Sequence, residues 1–83
     1  MPYIKQDDRR VIDIVLDVPV MSNAGELNYV LTKVVKDYLE QFGISYQTMN
    51  DIVGALDGAK VEFQRRIVAP YEDKKIKQNG DVY

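Results

Sequence analysis

TMNDIVGALDGAKVEFQRRIVA, residues 48–69, reads as a helix with two different apolar faces, and the rest of the chain is organised around it. At about 100° per residue, Ile52, Leu56, Ala59, Phe63 and Ile67 share one sector with Met49 and Val53 on its flank, the stripe of a core-facing helix. On the opposite side Gly54, Gly58, Val61, Arg65 and Val68 form a seam at spacings of 4, 3, 4 and 3. A glycine within a helix costs about 1 kcal/mol relative to alanine, so two of them four apart call for a packing reason, such as the approach of a second backbone. Tolerated surface glycines and a ligand against bare backbone are the competing readings. The charges of Asp57, Lys60 and Glu62 exclude a membrane-spanning use of the GxxxG spacing. Whether the seam closes within one chain or between two stays open at this point.

Working outward, Asn23 followed by Glu26 has the form of a capping box. Leu27, Val30, Leu31, Val34, Val35, Tyr38, Leu39 and Phe42 then recur at helical spacing, and Gly43 is a C-cap candidate. The spacing predicts a helix over Ala24 to Phe42, with Lys33–Asp37 and Lys36–Glu40 as ion pairs along it. Thr48 is the expected N-cap of the next helix, with Asp51 at its third position, and so short a connection predicts an antiparallel hairpin. Pro70 lacks a backbone N–H and crowds the preceding turn, so the long helix is expected to stop or kink near Ala69. A fresh helix over Tyr71 to Gln78 follows, then a tail at 81–83.

Before the hairpin, Met1 to Gln6 is a lead-in whose Tyr3–Ile4 pair can dock on the bundle. Asp7 to Val18 is read as a helix ended by Pro19, although VIDIVLDV is rich in β-branched residues and a strand competes. The fold class expected is all-α: one helical domain over 1–83, a bundle of two long antiparallel helices flanked by two shorter ones.

With 83 residues the chain has little interior to build, and it has neither Cys nor His. The staples of small proteins are missing, which gives weight to oligomerisation. Imidazole bases, thiolate nucleophiles and Cys/His metal sites are excluded. No signal-peptide pattern and no long apolar run is present, so a cytoplasmic protein without membrane contact is expected. Residues 1–59 hold five basic and nine acidic groups and residues 60–83 six and four, a polarity that can orient subunits or partners. The overall acidity and the lack of a basic patch with interleaved aromatics argue against nucleic acid.

A divalent-metal site for nucleotide hydrolysis needs carboxylates converging from several helices. Asp13/Asp17 and Asp37/Glu40 project to polar helix sides. Glu26, Glu62, Glu72 and Asp73 could meet only through the tertiary fold, and the paired acidic motifs of helical nucleotide pyrophosphatases are absent as a set. That enzyme is the alternative reading. The leading one is a homodimer without cofactor, associating through the Gly54/Gly58/Val61/Val68 seam, that binds another, unidentified protein, with Tyr29, Tyr71 and Arg65 as contacts. Arg65 and Arg66 can grip an anion, but pairing with Glu62 or Glu72 accounts for them more simply.

GELNY (25–29), SYQTMNDIVGAL (45–56) and AKVEFQRRIVAPYEDKKIKQNGDVY (59–83) resemble a family of small uncharacterised proteins of bacterial and phage genomes. The likeness runs from Gly25 onward. It implies an accessory protein of phage or prophage origin and brings no catalytic residues with it.

Overall fold

The computed structural model describes residues 3–83, all helix and connection, with no strand among them. Met1 and Pro2 of the expected lead-in lie outside the described residues. Helix α1 spans Gln6–Val15, α2 spans Ala24–Phe42 and α3 spans Tyr46–Phe63, followed by a π-helical turn over Gln64–Val68 and α4 over Ala69–Asn79.

Asp7 and Asp8 sit in the first turn of α1, where negative charge meets the positive end of the helix dipole. The helix ends at Val15 rather than Val18, because Leu16 is already extended (φ −72°, ψ 115°) while its N–H closes on the Ile12 carbonyl. Two factors favour that early end: the β-branched residues lower helix propensity, and Pro19 pushes Val18 out of helical geometry.

The bounds of α2 are those the sequence predicts. Its capping box forms with one change of partner. The Asn23 side chain accepts the Glu26 N–H at 2.9 Å, and Glu26 reaches back to the Ser22 N–H (3.2 Å) and the Asn23 amide (3.1 Å). Gly43 closes the helix with φ 79°, a value that favours glycine, although its ψ of 166° lies outside the left-handed helical well. Neither predicted lysine–carboxylate pair of α2 forms, and Lys33 instead lies 5.6 Å from the Tyr29 ring centre.

Ser45, not Thr48, caps α3. Its Oγ accepts the Thr48 N–H at 3.1 Å, which lets the helix begin three residues earlier than expected and places Thr48 inside the first turn. Thr48 is the one buried residue among those described, its hydroxyl satisfied by that of Ser45. Removing this cap with Ser45→Ala is expected to cost about 1 kcal/mol. Urea unfolding followed by circular dichroism checks it, with Tyr46→Ala, at an exposed position of the same turn, as a control.

Pro70 neither stops the helix nor starts a separate one. α3, the π turn and α4 form a single rod of 34 residues, so the expected fourth helix is the end of the third. In the π turn the Ala69 N–H reaches the Gln64 carbonyl five residues back. The wider turn relieves the clash that a proline ring imposes on the carbonyl four residues earlier, here that of Arg66.

The rod spans about 51 Å at helical rise and α2 about 28 Å, and the molecule's longest extent is 49 Å. Tyr38 meets Asp51, and Val34 shares a groove with Leu56, a reciprocal spacing that makes the hairpin antiparallel. Extended to Ala24, the same register brings the start of α2 level with about Arg65. Beyond it the rod projects as an arm. Neither α1 nor α4 makes a close backbone approach to any helix except α4 at its own join with the π turn.

These helices enclose no apolar core: among the described residues no hydrophobic side chain is fully buried. The accessible surface is 7747 Å², against about 5,000 Å² for a compact monomer of this mass. The radius of gyration is 16.7 Å, against about 12 Å for a compact chain of this length.

Candidate functional site

Between α2 and α3, Val34, Val35 and Tyr38 on one side and Asp51, Ile52, Ala55 and Leu56 on the other line an open groove of about 260 Å³. Each side chain follows from helical periodicity, since 34, 35 and 38, like 52, 55 and 56, fall on one face of their helix. One polar pair fixes the apex: the Tyr38 hydroxyl donates to the Asp51 carboxylate at 3.0 Å, and the Gln47 amide donates to the other Asp51 oxygen at 2.7 Å. The bond to Asp51 holds the Tyr38 hydroxyl above its ordinary pKa, aided by partial burial and the carboxylate's charge. This contribution is present below the ordinary tyrosine range and is lost as pH rises through the raised value. Phe42 stacks on Tyr38 at 4.7 Å between ring centres. The groove itself is aliphatic.

The apolar stripe of the rod continues out of this groove and remains uncovered. Leu56 is 42% exposed, Phe63 58% and Ile67 57%. The face of α1 is equally open, with Val11, Ile12 and Val15 all exposed.

On the opposite side of the rod, nothing lies within 4 Å of a Cβ built on Gly54 or Gly58. The seam is therefore not covered within the chain at its glycine end. Val61 is exposed and Val68 half-buried. Arg65 pairs with Glu62 at 3.2 Å, and Arg66 reaches the other Glu62 oxygen at 3.4 Å. The Tyr3 phenol of the lead-in lies beside this cluster.

Hydrogen bonding from Tyr3, together with Arg65 and Arg66, holds the Glu62 carboxyl below its ordinary value against partial desolvation. A depressed carboxylate stabilises the fold above its ordinary pKa, and the contribution is lost as pH falls through the lowered value. The contact between Tyr3 and the rod is therefore expected to loosen as pH falls below the ordinary glutamate range. Tyr3 ring resonances in an NMR titration check this, with Glu62→Gln removing the pH dependence.

Tyr29 is exposed on α2 beside the hollow formed with Pro19, Val20 and Met21, and Tyr71 is exposed on α4 with Lys75 Nζ 5.4 Å from its ring centre. The structure does not gather the four carboxylates considered for a metal. Glu26 is spent on the α2 cap, Glu62 on two arginines, and Glu72 and Asp73 lie on the exposed arm. Among the described residues no group of three or more acidic side chains is placed to hold an ion. No described helix is long and apolar enough to cross a membrane.

Sequence reading missed the Tyr38–Asp51 bond and the groove it anchors. The helical spacing of Val34, Tyr38, Ile52 and Leu56 is visible in the sequence, but the groove between them is a property of the pair of helices and not of either one.

A small all-helical chain with an open apolar groove is the class of protein defined by this geometry. The chain belongs to the family described as a domain of unknown function, DUF6899, whose model matches residues 1–82. The match includes the first 24 residues, which carried no part of the resemblance. No curated protein and no solved structure matches the chain.

Proposed function

We propose that the protein is a self-associating helical module whose working form is a homodimer, and that it acts in the cytoplasm as an accessory factor by binding another protein. One observation carries the reading. A chain of 9.5 kDa with no buried hydrophobic residue among those described leaves about 2,700 Å² more surface exposed than a compact monomer would. Summed over two copies, that excess falls in the range buried by obligate dimers. Conformational entropy opposes folding by about 1–2 kcal/mol per ordered residue, and burial of apolar area is the main term that offsets it. A second copy is the simplest source of that burial.

The Gly54/Gly58/Val61/Arg65/Val68 seam, Tyr29 and Tyr71 are the candidate protein contacts, and the accessory role in a phage or prophage rests on the resemblance of residues 25–83. Native mass spectrometry tests the self-association, with complexes of two chains expected and single chains alone refuting it. The competing metal-dependent nucleotide reading predicts saturable heat when Mg²⁺ and ATP are titrated into the protein. Silence in that titration is expected here.

A further inference from the structure

We infer that the open groove between α2 and α3 is filled by the distal arm of a second copy, running antiparallel, with the exchange made reciprocally. Phe63, Ile67 and Tyr71 of each rod lie against Val34, Val35, Ile52 and Leu56 of the other. This rests on the self-association proposed above and specifies its surface, which is the face opposite the glycine seam.

Four observations support it. First, α2 covers the rod only to about Arg65, so each chain has one groove without an occupant and one arm without a support. A two-fold axis pairs them with nothing left over.

Second, the π turn sets the register. In an unbroken α-helix Tyr71, eight residues after Phe63, would sit about 80° around the rod from it. The one extra residue taken up by the π turn brings it to within about 20°, so that Phe63, Ile67 and Tyr71 form one line. The stripe that leaves the groove at Leu56 is thereby carried onto the arm.

Third, the charges are complementary only in the antiparallel sense. Residues 24–59 hold two lysines against five acidic residues, whereas residues 60–83 hold six basic against four acidic. Antiparallel copies place the basic arm across the acidic hairpin, and parallel copies would stack like on like. Fourth, the excess surface has the size that such an exchange removes.

The test uses the absence of cysteine from the chain. Full-length Val34→Cys and Tyr71→Cys proteins, one of them isotope-labelled, are mixed and allowed to oxidise, and mixed disulfides are read by mass. Both positions are exposed, at 61% and 59%, so neither change opens a cavity in the chain. The 34–71 heterodisulfide is expected to form roughly tenfold faster than a Gly54→Cys homodisulfide, because only the former pair is held at high effective concentration. A dimer that instead cross-links through Gly54→Cys, or through Ile12→Cys on α1 to Val34→Cys, overturns the groove–arm arrangement while self-association stands. A monomeric mass for the unmodified chain overturns both.

Discussion

Heating the protein at two concentrations a hundredfold apart is expected to give two different unfolding midpoints, the higher one at the higher concentration. When folding and association are one event, each tenfold rise in chain concentration adds about 1.4 kcal/mol to the stability of a dimer. Two decades add about 2.7 kcal/mol. For a dimer of this combined length the midpoint then moves by roughly 5–10 °C. A monomer that held its own core would melt at one temperature regardless of dilution. The large shift is expected because Thr48 is the one buried residue among those described. Circular dichroism at 222 nm, at equal heating rate and in matched buffer, reads the difference.

Replacing Pro70 with alanine is expected to weaken association although it favours the helix. In a helix interior the exchange removes an intrinsic penalty of about 3 kcal/mol, so an isolated rod would become more stable. The alanine supplies the missing N–H and removes the ring, and with it the reason for the π turn at Gln64–Val68. The turn then relaxes to α-helix, and everything after it rotates by about 100° relative to Phe63. Tyr71 swings out of line and Glu72 and Lys75 move with it. The dissociation constant is expected to rise at least about tenfold, equivalent to about 1.4 kcal/mol, with helix content unchanged or higher. Sedimentation equilibrium paired with circular dichroism separates the two effects. Tighter association of Pro70→Ala would show that the register of α4 does not matter to the contact.

Much of the helical layout is legible in the sequence because the local signals are strong. Asn23 with Glu26, the apolar recurrence from Leu27 to Phe42, and Gly43 mark α2 at both ends, and each signal acts within one turn of its own residue. Pro70 misled for the same reason. Its local meaning is a stop, but the backbone had an alternative in the wider turn, which no propensity scale encodes. At Ser45 and Thr48 two hydroxyls three residues apart could each have capped α3, and the choice depended on which N–H met which oxygen. The stripe Ile52–Leu56–Phe63–Ile67 has the pattern of a core-facing helix. What periodicity does not say is what buries it, and the structure leaves most of that face uncovered by its own chain. The glycine seam has the converse history: its spacing is conspicuous in sequence, yet open space surrounds Gly54 and Gly58.

Self-association is the central claim, and light scattering coupled to size-exclusion chromatography across a dilution series tests it most directly. A mass of twice the 9.5 kDa chain, held until strong dilution and then falling together with the helical signal, is the expected result. A mass of one chain at every concentration, with full helix content and a cooperative melt, would contradict it.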